Sequence, residues 1–213
     1  MTEKGNELHR NLPAAVRGST FTDRMRAHSK GVIEAVAGGF NRAGISPDAM
    51  TLIGLTGSAI GAASLGLGYI SLGGWVILAS GATDALDGTM ARLRGRASRF
   101  GAFLDSSMDR YSELLIFGGL AVHFSLAGSV AGVAVAFAAA IGSVMVSYTK
   151  ARAEGLGFEC KVGLLTRMER YMVLCPLLIL NLPFPAAAVV AIFGNFTAWQ
   201  RIWHVYRLAR SDA

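Results

Sequence analysis

The chain has little charge and almost no cysteine. Only 16% of its residues are Asp, Glu, Lys or Arg, against 53% hydrophobic. That balance is too apolar for an ordinary soluble domain and fits an integral membrane protein. The two cysteines, Cys160 in a polar stretch and Cys175 inside an apolar one, offer neither a disulfide framework nor a thiolate zinc site. His9, His28, His123 and His204 are scattered and are assigned no role. There is no internal repeat and no low-complexity tract. Residues 1–20, "MTEKGNELHRNLPAAVRGST", lack the apolar core of a secretory signal, so the first spanning helix is expected to direct insertion.

What the chain does have is long apolar runs. A spanning helix needs roughly 20 mainly apolar residues to cross about 30 Å of hydrocarbon. Six stretches qualify: 48–70, 72–92, 107–125, 129–149, 168–182 with a few flanking residues, and 184–204. They predict an all-α integral membrane protein with six transmembrane helices. Ahead of them, residues 21–44 place Phe21, Met25, Val32, Val36 and Phe40 at near-helical spacing, with Arg24, Arg26 and Lys30 elsewhere around the turn. This pattern predicts an interfacial amphipathic helix on the cytoplasmic surface. Pro47 fits a first-turn position with Ser46 as the cap. "GSAIG" (57–61) is a small-residue pattern that lets helices approach closely.

Charge sets the orientation. All 20 Lys and Arg residues fall in four places: before position 43, from Arg92 to Arg110, from Lys150 to Arg170, and from Arg201 onward. The connections "ISLGG", "HFSLAGS" and "NLPFP" have none. The positive-inside rule therefore puts both termini and the charged loops in the cytoplasm. The net charge of +6 reads as a surface facing anionic headgroups, not as a nucleic-acid patch.

Four aspartates stand out against this background. Asp84 and Asp87 are three residues apart near the cytoplasmic end of the second span, and Asp105 and Asp109 are four apart at the start of the third. Such spacings project side chains from one helix face, and the short connection lets the two faces converge. Ionisable groups in membrane helices cost roughly 2.5–3.5 kcal/mol on insertion scales, so a positive partner is required. Oxygen-rich carboxylate clusters suit Mg2+ or Mn2+. A calcium-loop reading of "DALDG" fails for want of alternating ligands and a terminal Glu. A transporter with a carboxylate cation site is the alternative of a different class. It fits poorly, because every charge lies on one side of the membrane and not near its midplane.

Written out, Asp84-x2-Asp87-Gly88-x2-Ala91-Arg92-x8-Gly101-x3-Asp105-x3-Asp109 resembles the signature of the CDP-alcohol phosphatidyltransferases. The resemblance implies a six-helix domain over 45–206, between a polar arm (1–20) with the interfacial helix (21–44) and a cytoplasmic tail (207–213). It implies transfer of a phosphatidyl group from a CDP-lipid to an alcohol with release of CMP, and a homodimer. Two metal ions are implied at Asp84, Asp87 and Asp105. Asp109 is implied as general base, with a second role as ligand left open. Asp84, Gly88, Ala91, Arg92 and Gly101 are implied at the CDP-lipid, with Asp48 and Thr51 at its cytidine.

The acceptor is addressed by Lys150, Arg170 and Arg201, at the cytoplasmic ends of the last three spans. "SYTKARAE", the Arg twenty residues after its Lys, and "QR" in the last helix resemble the phosphatidylinositol phosphate synthases and their archaeal ether-lipid counterparts. The loop "ECKVGLLTRMER" departs from the bacterial inositol enzymes. The resemblance implies that these three cations bind the phosphate of inositol 1-phosphate. Glycerol 3-phosphate, the acceptor for phosphatidylglycerophosphate synthesis, is the runner-up.

Overall fold

Seven helices make up the computed structural model, which describes residues 21–95 and 98–211, with side chains from 31 to 95 and from 98 to 210. They are α1 (Phe21–Arg42), α2 (Pro47–Gly66), α3 (Ile70–Leu93), α4 (Arg99–Leu126), α5 (Val130–Gly155), α6 (Arg167–Ile179) and α7 (Pro183–Ser211). No strand occurs among the described residues. The arm over 1–20, the side chains of Phe21, Arg24, Met25, Arg26 and Lys30, and the last two residues of the expected tail lie outside the described set.

Short polar side chains start the helices. The Ser46 hydroxyl accepts from the Ala49 amide at 3.1 Å, with Pro47 in the first turn. Ser98 accepts from Gly101 at 2.7 Å and Ser129 from Gly132 at 3.1 Å. Each satisfies a donor that the first turn leaves without an intrahelical partner. The helices do not stop where the apolar runs stop. α4 begins at Arg99, well before residue 107, and α5 continues to Gly155, beyond residue 149. α7 likewise continues through most of the expected tail.

α2 lies against α3 and α4, α5 against α4 and α7, α6 against α3 and α7, and α1 against α3. Leu65, Ile77, Ile116, Leu120, Leu178 and Val190 are fully buried at the centre. Side chains such as Leu52, Ile60, Trp75, Phe137, Ile192 and Phe196 are exposed on the outer faces. The glycines of "GSAIG" serve the α2–α3 crossing. A Cβ on Gly57 would stand 2.3 Å from Ser80 Oγ, and one on Gly61 2.6 Å from Ile77 Cγ1. That close approach works within one chain.

Two helices, Pro47–Gly66 and Val130–Gly155, are long and apolar enough to cross a membrane by length and composition. α6 has 13 residues, about 20 Å at 1.5 Å per residue, and contains Pro176. It ends three residues short of the run expected over 168–182. On α1, Ala37 is buried and packs with Met50 and Met90, while Val32 and Val36 are exposed.

Candidate active site

α3 and α4 both pack on α2, which sets the second half of α3 and the first half of α4 on either side of one site. Because Asp84 and Asp87 share one face of α3 and Asp105 and Asp109 one face of α4, the two pairs converge. One carboxylate oxygen each from Asp84, Asp105 and Asp109 lies within 4.8 Å of the others. Asp87 is 5% exposed and stands slightly apart, accepting from Thr51 Oγ1 at 2.8 Å. Carboxylate oxygens this close repel each other unless a cation lies between them, and an all-oxygen donor set is the one hard divalent ions prefer. The residues present fit Mg2+ or Mn2+.

Beside the aspartates opens a cavity of about 430 Å³. Its wall contains Asp48, Thr51, Gly88, Ala91, Arg92 and Gly101, all drawn together from α2, α3 and α4, and also Asp87 and Asp105. A Cβ at Gly88 would meet nothing nearer than Arg92 Nη1 at 3.5 Å, so the glycine leaves floor space and relieves no clash. Gly101 differs. A Cβ there would stand 2.9 Å from Ser98 Oγ and 3.3 Å from Asp48 Oδ1. Arg92 Nη2 donates to Thr89 Oγ1 at 2.8 Å. Arg94, also on the wall, donates from Nε to Asn41 Oδ1 at 2.7 Å and from Nη2 to the Ile45 carbonyl at 2.6 Å, tying the end of α3 to the α1–α2 link.

A residue that the sequence did not single out enters the aspartate cluster from α6. Arg167 places Nη2 at 2.7 Å from Asp84 Oδ2 and Nη1 at 2.8 Å from Asp109 Oδ1. Its guanidinium carbon lies 5.5 Å from the centre of the Tyr171 ring. Arg110 approaches the other oxygen of Asp109 at 3.5 Å. Position alone gave little signal for Arg167, which looks like any basic residue at the cytoplasmic start of a helix.

Lys150, Arg170 and Arg201, the cations expected at the acceptor, have separate surroundings, and none of them lines the cavity described above. Arg170 is 2% exposed; it pairs with Glu113 Oε1 and donates to the Leu165 carbonyl at 3.3 Å. The other oxygen of Glu113 accepts from Ser143 Oγ at 2.8 Å, so the network joins α4, α5 and α6. Arg201, 4% exposed, donates from Nε to the Val162 carbonyl at 2.9 Å and from Nη1 to the Val146 carbonyl. Lys150 is half-exposed beside Glu154 at 3.7 Å. Glu113 did leave a trace in the sequence, since Asp105, Asp109 and Glu113 repeat every four residues along one face of α4.

Known proteins share this chain's sequence pattern and fold. The family model described as CDP-alcohol phosphatidyltransferase matches residues 44–204. A phosphatidylinositol phosphate synthase of Cutibacterium acnes is 39% identical over 71% of this chain and 74% of its own length. An archaetidylinositol phosphate synthase of Methanothermobacter thermautotrophicus is 37% identical over 78% and 86%. The crystal structure of Mycobacterium tuberculosis phosphatidylinositol phosphate synthase with CDP-DAG bound superposes with a TM-score of 0.74 at 30% identity, covering 82% of this chain and 94% of that one. A second structure of that synthase, in complex with manganese and citrate, gives 0.74 at 29% identity over 82% and 88%. With the whole motif on two adjoining helices inside the matched region, the chain belongs to the CDP-alcohol phosphatidyltransferase family of enzymes.

Proposed function

We propose that the enzyme transfers the phosphatidyl group of a CDP-diacylglycerol-type lipid to inositol 1-phosphate, giving phosphatidylinositol phosphate and CMP. The observation that carries this is the union of the converging aspartates with the cavity walled by Asp48, Thr51, Gly88, Ala91, Arg92 and Gly101. The choice of acceptor is supported by relatives named for inositol phosphate synthesis.

In this reading Asp84, Asp87 and Asp105, with Asp109 in a second role, hold two divalent ions. Such ions supply charge neutralisation for a diphosphate and its leaving group. The chain's own residues do the rest. Asp48 and Thr51, on the α2 side of the cavity, hold the cytidine; Gly88, Ala91 and Gly101 let the nucleotide approach the backbone; Arg92 binds a phosphate oxygen. Asp109 takes the proton from the acceptor hydroxyl as that oxygen attacks the β-phosphorus. The new O–P bond forms as the bond from the β-phosphorus to the bridging oxygen breaks, and CMP departs with that electron pair. Lys150, Arg170 and Arg201 hold the acceptor phosphate. Arg170 and Arg201 are buried and donate to the Leu165 and Val162 carbonyls of the 156–166 segment, so contact with the phosphate requires them to exchange these partners for it.

The same proposal places α2 to α7 across the membrane as six spans, with α1 along the cytoplasmic interface and the site on that face. The one-sided placement of Lys and Arg and the exposed apolar side chains support it. A homodimer is proposed from the family resemblance, and a protein mass in nanodiscs matching a single chain would count against it. The decisive experiment offers purified enzyme a radiolabelled CDP-lipid with inositol 1-phosphate, glycerol 3-phosphate or free inositol. Labelled phosphatidylinositol phosphate should dominate. Preference for glycerol 3-phosphate would transfer the assignment to phosphatidylglycerophosphate synthesis.

A further inference from the structure

α6 opens with two arginines three residues apart, and their surroundings differ. Arg170 is sealed against Glu113. Arg167 turns the other way, into the aspartate cluster, where its side chain stays 29% exposed. Its two terminal nitrogens take one oxygen each from Asp84 and Asp109, at 2.7 and 2.8 Å. A planar fork with two donor ends can join carboxylates from two helices, which a lysine's point charge cannot do in the same way. The Tyr171 ring lies alongside the guanidinium, 5.5 Å from its carbon.

Asp84 and Asp109 are also two of the three carboxylates whose oxygens converge within 4.8 Å. Lone pairs that accept from Arg167 are engaged, and a fixed positive charge at contact distance opposes the arrival of another. We propose that Arg167 is an internal competitor of the divalent cation for Asp84 and Asp109, and so holds the cation affinity of the site below what its carboxylates alone would give. The effect is reciprocal: a cation that loosens the grip of Arg167 is itself bound more weakly by the same factor because Arg167 is there. The inference rests on the metal-dependent reading above. The contrary role is a prop, in which Arg167 holds the two carboxylates in position for the cation. The two roles predict opposite signs when the arginine is removed.

The test titrates the full chain in nanodiscs with Mn2+ alone, reading free Mn2+ by electron paramagnetic resonance, and records unfolding midpoints alongside. Arg167→Gln should bind Mn2+ at least about tenfold more tightly than the unmodified chain, as loss of a unit charge at contact distance implies. Arg167→Lys should fall between the two. Equal or weaker binding by Arg167→Gln, with the unfolding midpoint retained, overturns the proposal. Should Arg167→Gln fail to fold, Arg167→Lys decides: tighter binding supports competition, and equal or weaker binding overturns it. An unmodified chain that binds no Mn2+ would remove the metal assignment itself, a failure distinct from that of Arg167.

Discussion

Thr51 on α2 donates its hydroxyl hydrogen to Asp87 on α3 across 2.8 Å, and both side chains are buried. The bond fixes one carboxylate oxygen of the signature against the helix that carries Asp48, so the cavity wall and the aspartates share an edge. Hydrogen bonds to charged groups contribute about 1.5–3 kcal/mol. Thr51→Val keeps the shape and removes the donor. It should lower kcat/KM by about ten- to a hundredfold, taking 1.4 kcal/mol per factor of ten. Thr51→Ser should retain most activity. Equal kinetics for Val and Thr would make the bond incidental.

Metal dependence predicts a common phenotype for three substitutions. Asp84→Asn, Asp87→Asn and Asp105→Asn should each abolish CMP release, since each removes one ligand charge from the cluster. Excess chelator should do the same to the unmodified enzyme, and added Mg2+ or Mn2+ should restore turnover. Full activity in chelator, with divalent ions verified absent, would sink the assignment. Asp109→Asn should differ, retaining CDP-lipid binding while losing turnover, because an amide cannot take the proton.

Gly101 carries a prediction about the donor. Its missing Cβ would press on Ser98 Oγ at 2.9 Å and Asp48 Oδ1 at 3.3 Å. The serine caps α4 through the Gly101 amide itself. Gly101→Ala should therefore disturb both the cap and the position of Asp48, raising the KM for CDP-lipid several-fold while leaving the acceptor KM nearly unchanged. An N-cap is worth about 1 kcal/mol, so the protein should still fold. A variant with normal donor kinetics would show that Asp48 has room to yield.

The aspartates were legible in the sequence for a physical reason. Helical periodicity and the few residues between Leu93 and Arg99 leave α3 and α4 few ways to arrange Asp84, Asp87, Asp105 and Asp109. The same local constraint carried Gly88, Ala91, Arg92 and Gly101 to one cavity. Arg167 was not legible, because its partners lie 83 and 58 positions away and only the docking of α6 on α3 brings them together. Nor was the burial of Arg170, whose counter-charge Glu113 sits on a different helix. Helix ends were misjudged in both directions: α4 and α5 run beyond their apolar stretches, whereas α2 and α6 stop short of residues 70 and 182. Apolar runs mark where a helix meets lipid, whereas hydrogen bonding continues until a cap or a turn intervenes, as α4 and α5 show.

The cations proposed for the acceptor separate into two kinds, and this gives the last prediction. Breaking a buried ion pair by removing one partner costs about 3–5 kcal/mol, because the remaining charge is left unpaired. Glu113→Ala strands Arg170, and Arg170→Ala strands Glu113, so both should lower the unfolding midpoint markedly whatever the substrate. Lys150 is half-exposed next to an equally exposed Glu154, and pairs of that kind contribute about 0–1 kcal/mol. Lys150→Ala should leave stability intact and raise the KM for inositol 1-phosphate by about ten- to a hundredfold if it supplies a charge-assisted contact. Arg201 is buried against two carbonyls, and Arg201→Gln should show both effects. The KM for CDP-lipid should change little in Lys150→Ala. The measurement is a thermal melt beside acceptor and donor kinetics for each variant. A Lys150→Ala enzyme with unaltered acceptor KM would remove the lysine from the pocket. If free inositol then also reacted as well as its phosphate, the cationic pocket would be lost and the aspartate chemistry alone would stand.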